Sequence, residues 1–346
     1  MEQIGAADRD GLVHQAAGTA QRDDDGSGDG AFFVPDTTVF DTAISETAVS
    51  GTAVPPAVGQ TPPGLTPEPT PTPTRPPIAA AAGGTPLRAT SSSEGPWAPG
   101  LQHGGVVSAV LTRSLEQTAE AAGLTGGHLA RIAVEFLRPA PVGPVSITAE
   151  VVRPGRQVAL LRAELRTGPD PASRVLAVAT AWWRRRSPGL VPDIAHTEAP
   201  TLPDPDTLPT EVPDSDLTRY LDRGYIAATE WRYAGGRLEE PGSSTAWVRP
   251  RVPLVHGEPI SPAQLLMLVA DAASGVSAVL DFRTHLFTNV DLVVSALRPI
   301  EGDWVSLHAT TAIDGAGGGT TTTMLGDRRG PVAFALHTLF VAPLVG

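Results

Sequence analysis

The sequence predicts an α+β chain made of two similar halves, each a curved antiparallel sheet wrapped around a long central helix. Three observations predict it. Leu137-Arg138-Pro139 recurs as Leu297-Arg298-Pro299, 160 residues later. Each copy is preceded by a small-residue or apolar helix pattern and followed by strand patterns. No helix pattern lies between those strands, as a parallel α/β sheet would require.

Residues 1–30 are polar and acidic, with Asp23-Asp24-Asp25 in the middle, and read as a disordered tail. Ala31 to Val34 is a short strand, and Thr37 to Phe40 extends it after Pro35. From about 42 to 90 the chain is rich in Pro and Thr, including the alternating run 66–77. Such a run cannot donate to a sheet ladder and has nothing apolar to pack, so it reads as a disordered insertion of polyproline character.

Gln102-His103-Gly104-Gly105 opens a helix to about Ala122, with Gly123 as its C-terminal cap. Small residues in its early turns (Gly104, Gly105, Ser108, Ala109) let another backbone or a ligand come close. Strands are predicted at 130–137, 145–153, 157–167 and 175–184, with Pro/Gly turns between them. Residues 187–215, rich in Pro and Asp, form a linker. The first unit thus spans 31–186 and the second 216–346.

The second unit begins with a helical stretch at 217–223 and strands at 227–233 and 245–249. Ser261-Pro262-Ala263-Gln264 is a helix start: Ser caps, Pro fits the first turn and Gln completes a capping box. The pattern predicts one helix to about Leu280, apolar on nearly every face and therefore buried. Strands follow at 287–297, 304–312, 320–325 and 332–341.

Composition removes several classes of function. The net charge of −12 and pI near 5.1 oppose a general nucleic-acid binder. The 25 basic residues are all Arg, which excludes a Schiff-base lysine and a Walker-type phosphate lysine. No cysteine means no disulfide, no thiolate ligand and no Cys nucleophile. No Gly-x-Ser-x-Gly elbow is present, and no His/Asp/Glu cluster has metal-ligand spacing. Neither a signal peptide nor a membrane span is expected, and a cytoplasmic location follows as the expectation.

The order and spacing of several short motifs resemble the acyl-CoA thioesterase II-like family. They are Phe32-Phe33-Val34-Pro35, Gly95-Pro96-Trp97, Gln102-His103-Gly104-Gly105, Val134 to Pro139 with Pro141-Val142-Gly143-Pro144, Ser261-Pro262, Ala270-Asp271, Asn289-Val290-Asp291-Leu292 and Thr338 to Val341. The resemblance covers about 31–40 and 90–343 and implies a double hotdog fold. It implies hydrolysis of an acyl-CoA thioester to a free acid and coenzyme A, in fatty acid metabolism, with coenzyme A entering as part of the substrate and no cofactor or metal. It also implies a homodimer or larger homo-oligomer. The family's water lies between an Asp, a Thr and a Gln. Position by position these fall on Asp271, Asn289 and His337, so the second and third depart from the pattern.

Each candidate has two readings. Asp271, a carboxylate in an apolar helix, is a water-orienting general base, or it faces a solvent groove or bonds a serine such as Ser274. Asn289, the only Asn in the chain, orients the water or the thioester carbonyl, or satisfies a bulge. His337 exchanges a proton or donates to the carbonyl near its ordinary pKa of about 6.5, or is a buried histidine bonded to backbone. His103, with Gly104 and Gly105, binds substrate at a helix end that favours negative charge, or makes a tight turn into a packed helix. A non-hydrolytic acyl-CoA-binding protein is the alternative function, and a hotdog dehydratase a third.

Overall fold

The computed structural model describes residues 30–36, 85–168, 170, 172–192, 200–210, 223–237 and 240–344. The predicted tail (to residue 29), the strand extension at 37–40, most of the insertion and the helix at 217–222 lie outside the described residues.

The described strands form one continuous antiparallel sheet, in the order β1-β2-β4-β5-β6-β3-β10-β13-β12-β11-β8-β7, with β9 also on β13. The first half supplies β1 (Phe33–Pro35), β2 (Thr85–Ala89), β3 (Gly127–Phe136), β4 (Pro144–Arg153), β5 (Val158–Arg166) and β6 (Val175–Arg185). The second supplies β7 (Thr229–Gly235), β8 (Ser244–Pro250), β9 (His285–Asn289), β10 (Asp291–Ala296), β11 (Val305–Ile313), β12 (Gly318–Asp327) and β13 (Gly330–Pro343). The two halves run outward from the seam, where β3 pairs with β10 and Val293 lies opposite Ala133. The expectation of two separate sheets is therefore corrected to one joined sheet. The insertion is also shorter at its C-terminal end than predicted, because 85–89 is a strand between β1 and β4.

Two helices lie on the sheet. α1 (Gly104–Ala121) packs on β3 to β6, and Gly123, at φ +74°, follows its end. A short α2 (Gly224–Ala227) precedes β7. α3 (Pro262–Ala270) packs on β8, β11 and β12 and directly against α1. Its capping box forms as predicted, with Ser261 accepting from the Gln264 N–H and Gln264 reaching back to the Ser261 N–H.

The helix predicted to run to Leu280 does not. It stops at Ala270, turns through Asp271 and Ala272, and resumes only as α4 (Ala273–Val276). Tertiary partners take the carbonyls this break frees: Tyr225 Oη donates to Leu268 O at 3.0 Å and Asn289 Nδ2 to Asp271 O at 2.9 Å. The strand predicted at 287–297 is likewise broken, with Val290 between β9 and β10.

The repeated Leu-Arg-Pro motif ends β3 and β10 in the same way. Leu137 N–H donates to Leu176 O and Leu297 N–H to Val332 O, each at the start of the next-but-two strand. Arg298 grips the buried Asp327 with two nitrogens, at 2.5 and 2.7 Å, and so clamps the β12–β13 turn. Burial alone would raise the Asp327 pKa, but Arg298 and the N–H groups of Glu301 and Arg329 carry it below the ordinary value. The motif is architecture rather than chemistry.

Candidate active site

α1 and α3 run antiparallel, so the start of α1 meets the end of α3. The approach is close because Gly104 and Gly105 lack side chains. A Cβ at Gly105 would overlap the Leu268 carbonyl oxygen, and one at Gly104 would lie 2.7 Å from the Asp271 carboxylate. Asp271, 5% exposed, is thereby set against the N-terminal turn of an 18-residue helix, where the peptide dipoles favour negative charge.

Asn289 is in direct contact with Asp271. Its Nδ2 donates to Asp271 Oδ1 at 2.7 Å and to the Asp271 carbonyl. Its Oδ1 accepts from Ser274 Oγ at 2.9 Å. Both amide hydrogens are therefore spent on Asp271, and Ser274 bonds Asn289 rather than the aspartate.

His103 is the N-cap of α1. Its Nδ1 accepts from the Gly105 N–H at 3.0 Å and lies 3.4 Å from Asp271 Oδ2. Its ring stacks on Tyr225, centroids 3.7 Å apart and planes 4° apart. Burial lowers the His103 pKa against the pull of Asp271, so the ring is neutral and its proximity to the carboxylate is not an ion pair. Gly105 has a packing role: its N–H is taken by His103 and its Cα is covered by α3.

His337 lies on the inner face of β13, fully buried, between Ala335 and Leu339. Asn289 pairs with Leu339 in the sheet, so Asn289 and His337 are diagonal neighbours on one face. Among the described residues neither ring nitrogen of His337 has a partner at hydrogen-bond geometry. Burial lowers its pKa, against upward pulls from Asp271, the Thr321 backbone and Asp291. The expectation of an ordinary histidine pKa is thus corrected to a depressed one.

Six contributors escaped the sequence reading: Tyr225, Ser277, Thr311, Thr321, Phe282 and Phe287. Tyr225 buttresses His103 and the end of α3. Ser277, Thr311 and Thr321 link hydroxyl to hydroxyl at 2.7 Å, with Thr321 opposite His337 across the sheet. The runs Thr310-Thr311 and Thr320 to Thr323 carry no mark of such a row; only the strand registers reveal it. Beside Asn289 on the same strand face, Phe287 packs with Trp97 and Phe282, ring centroids 4.9 Å from each. Among the described residues no group of His, Asp and Glu could hold a metal ion, and no helix is long and apolar enough to cross a membrane.

Two family models match the chain: the acyl-CoA thioesterase N-terminal domain over residues 93–184 and the acyl-CoA thioesterase C-terminal domain over 196–341. Among curated proteins nothing matches. Among solved structures, a hot dog-fold protein of unknown function from Alicyclobacillus acidocaldarius is 18% identical at a TM-score of 0.58, covering 77% of this chain and 97% of its own. A candidate thioesterase II from Thermobifida fusca is 22% identical at 0.56, covering 72% and 90%. The tesB protein of Mycobacterium avium subs paratuberculosis is 18% identical at 0.53, covering 77% and 96%. These likenesses establish a hotdog fold. With both family domains present in order, the chain belongs to the acyl-CoA thioesterase II-like family and is a hydrolase of acyl-CoA thioesters, releasing the free acid and coenzyme A.

Proposed function

We propose that Asp271 is the base of this hydrolysis, that Asn289 positions it, and that His337 donates to the acyl oxygen. The observation that carries the reading is the Asp271 carboxylate: buried, tied through Oδ1 to Asn289, with Oδ2 turned to the start of α1. Asp271 Oδ2 accepts a proton from water while the water oxygen bonds the thioester carbon. The C–S bond then breaks, and the sulfur leaves as the thiol of coenzyme A with that proton. Negative charge grows on the acyl oxygen, where the N–H of a neutral His337 and the start of α1 stabilise it. Because both Asn289 amide hydrogens are spent on Asp271, Asn289 acts through the carboxylate rather than on the water. The Trp97, Phe282 and Phe287 cluster forms the apolar wall for the acyl chain. His103 and Gly104 frame the carboxylate on the substrate side.

The finer architecture goes with this reading. Each half is a hotdog unit, 31–186 and 216–346 with the linker between, and α1 and α3 are their central helices, placed side by side in a double hotdog. An acyl-CoA substrate fits a cytoplasmic protein of fatty acid metabolism. Asp271→Asn tests the mechanism: release of free thiol from acyl-CoA falls by about 10²–10⁴-fold while the thermal midpoint is retained. Undiminished hydrolysis in this variant overturns the assignment.

A further inference from the structure

The antiparallel helix pair has two ends, and at each the start of one helix faces a carboxylate carried by the other. At one end the start of α1 faces Asp271 from the end of α3. At the other the start of α3 faces Glu116 from the later turns of α1. Ser261 Oγ donates to both Glu116 oxygens, at 2.9 and 2.7 Å, and Gln264 Nε2 adds a bond at 2.7 Å. The strands repeat too. The chain break at Val290, beside Asn289, has its counterpart 160 residues earlier in the β3 register shift between Leu129 and Arg131.

A cavity of 170 Å³ opens at this second end, lined by Glu116, His128, Leu129, Leu266, Arg298 and Ile300 among others. A cavity of roughly 150 Å³ accommodates a ligand the size of benzene, so this one holds the head of a ligand and the first carbons of a chain. Both ring nitrogens of His128 are buried and, among the described residues, lack a partner at hydrogen-bond geometry. Burial, then Arg184 and Arg186, lower the His128 pKa against the pull of the Ala296 backbone, so the ring offers one donor and one acceptor as a neutral group. Glu116, its pKa raised by burial against those same hydrogen bonds, belongs to the same lining.

Building on the reading of the first site, we infer that this cavity is a second acyl-binding site, one that takes the neutral thioester end of an acyl-pantetheine chain and does not hydrolyse it. The apolar wall of Leu129, Leu266 and Ile300 receives the acyl carbons, and the His128 N–H meets the carbonyl oxygen. An anionic head group would be set against Glu116, while the cation of the lining, Arg298, is already held by Asp327 and Arg184 and Arg186 are exposed to solvent. Hydrolysis fails here for a visible reason. Leu129 stands where the first site has Asn289, and both Glu116 oxygens are held by Ser261 and Gln264, so no carboxylate is poised for water.

The test is the binding stoichiometry of 2-oxoalkyl pantetheine thioethers of four, eight and twelve carbons, inert analogues in which a methylene separates carbonyl and sulfur. Calorimetry on the wild-type chain is expected to give two equivalents. Ala263→Phe, which fills the cavity from α3, and His128→Phe, which removes the polar anchor, should each leave one equivalent and an unchanged rate of acyl-CoA hydrolysis. A single equivalent in the wild type, or two in both variants, overturns the second site. Binding of octanoate in place of the thioether at this end overturns the neutral head group. Two equivalents in a chain that hydrolyses nothing would sink the first-site chemistry and leave the second site standing.

Discussion

His337 shows what one buried side chain asks of its surroundings. A neutral imidazole whose two nitrogens meet no partner at full hydrogen-bond geometry among the described residues is costly to bury unless a ligand or water completes it. Its depressed pKa has a consequence for stability. Between the lowered folded pKa and the unfolded value of about 6.5 the unfolded chain binds more protons, so stability is complete above about 6.5 and declines as the pH falls below it. The slope is up to about 1.4 kcal/mol per pH unit for each such histidine, and His103 and His128 are depressed in the same direction. His337→Gln should remove one share of that slope in thermal melts between pH 7 and 5. It should also keep acyl-CoA hydrolysis, because a Gln amide can donate to the acyl oxygen as the neutral imidazole does. An unchanged slope would mean that His337 is not held neutral by burial. Loss of hydrolysis would mean that the imidazole itself is required.

At the scale of elements, the contact between α1 and α3 holds the site together, and it rests on an absent side chain. A methyl group at Gly105 has nowhere to go but into the Leu268 carbonyl, which is backbone and cannot swing aside. Gly105→Ala should therefore destabilise the chain by about 1–3 kcal/mol, as overpacking does, and depress hydrolysis by moving Asp271 away from α1. Denaturant melts and thiol-release rates measure the two effects, and a variant with wild-type stability would show that the helices are not in that contact. The small residues at 104 and 105 announced a close approach in the sequence, as Ser261 to Gln264 announced a capping box. The end of α3 was not legible. The apolar pattern continues through Val276 to Leu280, while the groups that terminate the helix, Tyr225 and Asn289, come from elsewhere in the chain. Nor was the division of labour at Asn289 legible, since only geometry shows both amide hydrogens turned to Asp271. The pairing of Asp271 with Asn289 was reached through family resemblance, because residues 18 apart carry no local sign of contact.

For the whole molecule, the joined sheet decides which faces remain open. The two helices cover its inner face. On the outer face β13 presents Phe334, Leu336 and Phe340, each about half exposed (50%, 48% and 50%). They stand at alternate positions, with Met324 opposite Phe334 and Val293 opposite Leu336. β13 lies inside the strand order rather than at an edge, so this apolar stripe is a face for packing and not a ladder seeking another strand. A second copy of the chain, related by a two-fold axis, would cover it with the same stripe in an isologous contact. The proposal of a homodimer or larger assembly gains its physical reason here. Sedimentation velocity should find the wild-type chain as a dimer or larger and Leu336→Arg shifted toward monomer, since each copy would bury a charge against apolar surface. Hydrolysis should persist in the dissociated variant, because Asp271, Asn289 and His337 all come from one chain. A monomeric wild type would remove the stripe as an interface. A monomeric variant that loses hydrolysis while remaining folded would show that the neighbouring copy completes the site.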